Sequence, residues 1–166
     1  NILAGNTQVY KHASNVPMCA KQIEDFFLKA WFPVGIYQNI FINSSQSELI
    51  LSHKYIKGVN LTGGERAGAA IWSLAGKYLK PSVLELGWND AFVLADHSDT
   101  KVMTAEATAC RIANGGQKCN SSKRFIVMEK HYDEFVEEMG KYMASMKMWD
   151  PMLADTQIPP MARTDL

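Results

Sequence analysis

The feature that most constrains this chain is an alternation. Between residues 7 and 86, short strand-like runs take turns with helical stretches, in the order strand, helix, strand, helix, strand, helix, strand. Residues 7–12, 37–42, 58–61 and 82–86 read as strands, bounded by turn residues. Residues 15–30, 47–52 and 65–79 read as helices. The first helix tolerates Pro17 in its opening turn, and Cys19, Ile23, Phe26, Phe27 and Ala30 give it an apolar face. Pro81 stops the third. Strands separated by helices must run parallel, joined by right-handed crossovers, with the helices laid on the sheet faces. The expected class is therefore α/β.

A second section follows. Residues 91–94 read as a strand, and residues 99–113 as a helix entered through Ser98 or Asp99 as its cap. Asn114-Gly-Gly116 breaks that helix. Residues 125–128 form a further strand. Residues 131–148 form a helix whose stripe is Tyr132, Phe135, Val136, Met139, Met143 and Met146. The tail, 149–166, is rich in Pro and Asp and has no periodicity. The boundary is expected near residues 87–90, which divides the chain into 1–87 and 88–166. The second section is too small to close a core comfortably alone.

Charge excludes one class of partner. Lys+Arg and Asp+Glu both number 17, so the formal net charge is zero, whereas a nucleic-acid protein needs a basic excess. A local basic patch stays open. No apolar run reaches the roughly 18 residues of a membrane span. The amino terminus, Asn1-Ile-Leu-Ala-Gly5, has neither a basic leader nor an initiator Met, so the chain reads as processed, truncated or excerpted. The three cysteines, Cys19, Cys110 and Cys119, are widely spaced. Reduced thiols in the cytoplasm are the simpler reading, with Cys19 and Cys110 in the core. His12, His53, His97 and His131 have no metal-ligand spacing, and no metal site is expected.

Four places could carry chemistry. Cys119 sits in Asn114-Gly-Gly-Gln-Lys-Cys-Asn-Ser-Ser-Lys-Arg124. Glycine-rich backbone lets a sulfur stand in an open turn, where Lys118, Lys123, Arg124 and backbone amides could stabilise a thiolate. A thiolate attacks carbonyl carbon. A lone cysteine is nevertheless more often inert packing. Glu85 ends the fourth strand, where ligands of open α/β sheets bind. Its neighbours Val83, Leu84 and Leu86 suggest a desolvated carboxylate suited to general-base work, with a strand-end ion pair as the plain alternative. Thr62-Gly-Gly64 opens a helix, and such amides attract phosphate, although strand–glycine–helix turns are common. Lys11 and Ser14 end the first strand and could hold ribose or phosphate. They read equally as a solvated lysine and a helix cap.

In combination these segments resemble the aldehyde dehydrogenase superfamily, along nearly the whole chain. Ala4-Gly-Asn-Thr-Gln-Val-Tyr-Lys-His-Ala-Ser14 resembles the family's AGNTVVLKPAS/E segment. Leu61-Thr-Gly-Gly64 through Gly68 resembles its FTGS-x-x-x-G turn. Leu84-Glu-Leu-Gly87 resembles ELGG, and Asn114-Gly-Gly-Gln-Lys-Cys119 resembles N-x-GQ-x-C. The separation of Glu85 from Cys119 also fits. Asp150-Pro-Met152, Thr156-Gln-Ile158 and Pro160-Met-Ala-Arg163 are similar to the stretch GDPM…TQIGPMAR. The bacterial succinate-semialdehyde dehydrogenase group, with its KHAS-like segments, is most similar.

The resemblance implies the second half of a Rossmann-like NAD(P)-binding domain in 1–87, and the start of the α/β catalytic domain in 88–166. It implies oxidation of a small aldehyde to an acid, with Cys119 as nucleophile through a thiohemiacetal and a thioester, and Glu85 as general base. Lys11 and Ser14 would contact the adenosine ribose, Gly63 and Gly64 the pyrophosphate, and the Leu86 carbonyl the nicotinamide carboxamide. Ser14, where NAD-preferring members tend to carry Glu, permits NADP as well as NAD. The full-length form would be a homo-oligomer. The family's oxyanion asparagine falls upstream of the Lys11 segment and outside these residues, so this stretch alone is expected to have little or no activity. The alternative is a non-catalytic nucleotide-binding or interaction module derived from the same fold. Several family glycines are replaced, by Trp31, Trp88, Trp149 and Pro159, and Gly64 stands where the family has Ser. Any such position that needs a positive φ is strained without glycine.

Overall fold

A computed structural model describes residues 1–96 and 99–165. His97 and the alternative cap Ser98 lie outside the described residues, as does Leu166. The named strands are β1 (Gln8–Tyr10), β2 (Tyr37–Asn39), β3 (Val59–Thr62), β4 (Ser82–Glu85), β5 (Ala91–Leu94) and β6 (Arg124–Val127). The α-helices are α1 (Pro17–Lys29), α2 (Ser47–Leu51), α3 (Glu65–Lys77), α4 (Thr100–Ile112) and α5 (Glu129–Ser145). Single 3-10 turns cover Ile2–Ala4, Ser44–Gln46 and Ala113–Gly116.

All strand pairing is parallel, as the alternation requires. β1 pairs with β2, β3 with β4 and β5 with β6, and a helix links the two strands of each pair. The first four strands form two separate pairs rather than one continuous run, because β2 and β3 share no ladder among the described residues. Alternation specifies element type and direction; the choice of neighbour belongs to tertiary packing, which strands of three or four residues encode weakly.

The chain divides into two compact units. The first holds Asn1–Thr62 and Arg66–Glu85; the second holds Gly63–Glu65 and Leu86–Leu166. In the first, Tyr37 is buried and stacks on Tyr10 and Phe27, with ring centroids 4.4 and 4.6 Å apart. Its hydroxyl meets His12 Nε2 at 2.8 Å. The Asn39 amide donates to the Ala20 carbonyl, tying β2 to α1. Lys77 and Tyr78 both donate to the Glu48 carboxylate at 2.6 Å. The Lys77 bond, with that from Tyr78, holds the Glu48 carboxyl below the usual carboxylate range.

The core of the second unit is Leu94, Ala107 and Phe135, with Phe92, Met103, Phe125, Val127 and Met139 packed around it. Asp99 caps α4, its side chain accepting from the Val102 amide at 3.0 Å. One face of α4 carries Thr100, Thr104 and Thr108, all buried. Thr104 donates to the Thr100 carbonyl at 2.6 Å and Thr108 to the Thr104 carbonyl at 2.7 Å. Thr100 itself pairs with His131 Nδ1 of α5 at 2.7 Å.

Two packing expectations need correction. Cys19 and Cys110 are exposed, not core. On α1 the fully buried position is Ala20, which turns Cys19, one residue earlier, away from the packed side. The stripe of α5 is only partly used. Phe135 is buried, but Tyr132 and Val136 are more than half exposed.

The replaced glycines can now be sorted. Trp31 takes a φ of 61°, while Trp88, Trp149 and Pro159 are absent from the positive-φ positions. The cause at Trp31 is a Schellman ending of α1. Phe32 N–H donates to the Phe27 carbonyl and Trp31 N–H to the Leu28 carbonyl, both at 3.1 Å, a pattern that puts the residue after the cap in the left-handed region, normally as glycine. Leu79 repeats the pattern after α3, with φ 52° and Lys80 N–H on the Ala75 carbonyl. A side chain in this region costs roughly 1–2 kcal/mol. Trp31 is 93% exposed, so it recovers little through burial. Trp31→Gly is therefore expected to raise unfolding stability by about 1 kcal/mol, read as a higher urea midpoint at unchanged slope; a lower midpoint would contradict this.

Candidate active site

Cys119 is presented by a left-handed turn. After α4 ends, Asn114 adopts φ 56° and ψ 36°, and Gly115 φ 66°; Gly116 follows at φ 76°. Asn is the side-chain residue that best tolerates this region. At the two glycines the dihedral disfavours a side chain and the space for one is tight. A Cβ on Gly116 would lie 3.1 Å from the Arg111 carbonyl oxygen, and one on Gly115 would lie 3.2 Å from Gln117 Nε2 and 3.4 Å from the Pro159 carbonyl oxygen. The chain thus reverses sharply and leaves Cys119 exposed.

Lys123 ties this segment together. Its ammonium donates to the Lys118 carbonyl at 3.3 Å and to the Cys119 carbonyl. The backbone amides of Lys123 and Arg124 both donate to the Asp90 carbonyl, at 3.0 and 3.2 Å, and Arg124 Nε donates to the Asn89 carbonyl at 3.0 Å. The segment that follows Leu86-Gly-Trp88 is therefore pinned to the residues just beyond the cysteine. The charges of Lys123 and Arg124, expected to face a thiolate, are engaged by carbonyl oxygens instead. Ser121 and Ser122 are buried.

Gln117 was not singled out by the sequence. Its side chain donates to the Asn114 carbonyl at 2.9 Å and to the Pro160 carbonyl at 3.4 Å, and accepts from the Ala162 amide at 2.7 Å. The signal available was its place between the glycine turn and the cysteine, together with a long aperiodic tail in need of backbone partners.

Each of the other expected residues stands at or just after the carboxyl end of a strand. Glu85 is the last residue of β4, in register with Thr62 at the end of β3. It is exposed, not desolvated. Burial alternates along β4, so Val83 and Glu85 share the open side, and Val83 is 56% exposed. Gly63 and Gly64 lie between β3 and the first turn of α3. Nothing lies within 4 Å of a Cβ placed on Gly64, so another molecule can approach that backbone closely. Lys11 and Ser14 are exposed in the loop after β1, and Lys11 Nζ donates to the His12 carbonyl at 3.2 Å. Leu86 follows β4 directly, and Trp88 is 56% exposed. Cys119 belongs to the second unit and Glu85 to the first. Among the described residues no group of three or more His, Cys, Asp or Glu stands in a metal-holding arrangement, and no helix is long and apolar enough to cross a membrane.

Known proteins share this sequence and shape. Residues 1–165 match the aldehyde dehydrogenase family. The chain is 38% identical over 161 residues to "Succinate-semialdehyde dehydrogenase [NADP(+)] 1" of Mycobacterium tuberculosis (strain ATCC 25618 / H37Rv), covering 97% of the chain and 35% of that protein. It is 38% identical over 162 residues to the succinate-semialdehyde dehydrogenase [NADP(+)] of Deinococcus radiodurans, covering 98% and 34%. Its fold superposes on succinic semialdehyde dehydrogenase from Streptococcus pyogenes, solved in complex with NADP+, with a TM-score of 0.93 and 41% identity over 99% of this chain and 36% of that one. The chain thus spans about a third of the length of the curated relatives it matches.

Proposed function

The chain belongs to the aldehyde dehydrogenase family, and from that premise we propose that the whole protein oxidises a small aldehyde, of the succinate-semialdehyde type, to its carboxylic acid with NADP or NAD as acceptor. The observation that carries this reading is the exposed thiol of Cys119, which follows a left-handed turn of Asn114, Gly115 and Gly116.

The residues present fit the cofactor. The open backbone at Gly64, ahead of the first turn of α3, would take the pyrophosphate. Gly63 would share that contact. Lys11 and Ser14, exposed after β1, would hold the adenosine ribose. Ser14 brings no carboxylate to repel a 2′-phosphate, which supports NADP. The Leu86 carbonyl would orient the carboxamide. When bound, the nicotinamide supplies the acceptor for the two electrons of the oxidation.

The protein's own groups do the rest. The Cys119 sulfur, as thiolate, adds to the aldehyde carbon, forming a carbon–sulfur bond and a thiohemiacetal oxygen whose charge the Cys119 amide would meet. Once the carbon has been oxidised, it remains on sulfur as a thioester. Glu85 takes a proton from water; the water oxygen bonds to the acyl carbon, the carbon–sulfur bond breaks, and the acid leaves.

The test is made on the full-length protein, with succinate semialdehyde and NADP, by following NADPH absorbance. Glu85→Gln is expected to lower kcat by about 10²-fold and to leave an acyl adduct on Cys119 visible by mass spectrometry. Unchanged turnover in Glu85→Gln would remove Glu85 from its assigned role.

A further inference from the structure

We infer that Gln117 is a positioning residue for the Cys119 thiol, acting as a splint between the cysteine turn and the strap formed by residues 158–162. The inference rests on the reading of Cys119 as the nucleophile.

Both polar atoms of the Gln117 carboxamide are engaged, and on different segments. Nε2 donates back to the Asn114 carbonyl at 2.9 Å and across to the Pro160 carbonyl at 3.4 Å. Oε1 accepts from the Ala162 amide at 2.7 Å. The strap is itself anchored. The Gln157 and Ile158 amides both donate to the Lys147 carbonyl just past α5, at 2.9 and 3.1 Å, and Ile158 bridges Met148. Pro159 lies against Gly115 so closely that a Cβ there would stand 3.4 Å from its carbonyl oxygen. A continuous path of contacts therefore runs from the end of α5, through the strap and Gln117, to the turn two residues before the sulfur.

The turn needs such support. Asn114, Gly115 and Gly116 are successively left-handed, and glycine backbone is free to leave that geometry. Cys119 is exposed and has no burial to hold it. A nucleophile displaced by about 1 Å from its attack geometry can lose up to about 10²-fold in rate. The carboxamide suits the task because it donates and accepts at once. A carboxylate keeps the acceptor but loses the donor, and sets its charge against the Asn114 and Pro160 carbonyl oxygens.

That chemistry supplies the test, in the full-length protein. Gln117→Met, of similar length without polar atoms, is expected to lower kcat about tenfold while KM stays within about twofold, and to speed hydrogen exchange at the Ala162 amide. Gln117→Glu keeps the acceptor for the Ala162 amide but, ionised at about pH 7.5, offers no donor to the Asn114 and Pro160 carbonyls, so its kcat is expected to fall at least threefold with KM within about twofold of the parent. Parent-like kcat or unchanged Ala162 exchange in Gln117→Met overturns the splint. If that variant fails to fold, parent-like kcat in Gln117→Glu overturns it instead. Cys119→Ser separates the two readings. Retained activity there removes the nucleophile assignment, whereas its loss beside an unaffected Gln117→Met removes the splint alone.

Discussion

Cys119→Ala in the full-length protein is expected to abolish aldehyde oxidation, lowering kcat by about 10³-fold or more while aldehyde and NADP binding survive. The effect is large because alanine leaves no sulfur to bond to the aldehyde carbon. Ser121 and Ser122 are near in sequence but buried. Cys19 and Cys110 are exposed too, so exposure alone does not mark the nucleophile, and both lie inside helices. Alkylation resolved by peptide mass spectrometry should therefore show modification at three thiols, with inactivation tracking only the Cys119 peptide. Activity that persists in Cys119→Ala, or that is lost in step with Cys19 or Cys110, would show the assignment to be wrong.

The second large effect concerns stability. Phe135→Ala is expected to cost about 3–5 kcal/mol, the range for deleting a buried aromatic side chain. Phe135 is 3% exposed, meets Phe125 with ring centroids 5.7 Å apart and closes the cluster with Leu94 and Ala107. Val136, the next residue, is 51% exposed, and Val136→Ala should cost under about 0.5 kcal/mol. Chemical unfolding of both variants reads the contrast. Equal losses would mean that the helix stripe, and not this one ring, holds α5 to the sheet.

The two helix positions also show what could be read in advance. Periodicity located α5 and its stripe, because burial and the 3.6-residue repeat are properties of the local sequence. It did not say which members of the stripe the neighbours would cover. That depends on β5, β6 and α4, none of which is encoded near Phe135. The same limit separates β1–β2 from β3–β4: strand, helix and direction were legible, but the partner of each strand was not. At the candidate site, the cysteine and its glycine turn were legible from motif and dihedral needs. The exposure of Glu85 was not, since flanking apolar residues imply burial only if something packs on both faces of the strand. Gln117 was missed because its partners are more than forty positions away, at Pro160 and Ala162. Trp31 was the opposite case. A replaced glycine raised the question of a positive φ, and the Schellman hydrogen bonds answered it.

The threonines of α4 set how its partner helix is recognised. Thr104 and Thr108 place oxygen in the core, yet each hydroxyl is satisfied by its own helix, so neither asks for a polar group opposite. Only Thr100 reaches across, to His131. The pair of helices is thus keyed at one end and merely filled along the rest. Sequence drift in α5 below His131 is constrained by volume, which methionines such as Met139 accommodate by bending, whereas a change at His131 alters which turn of one helix faces which turn of the other.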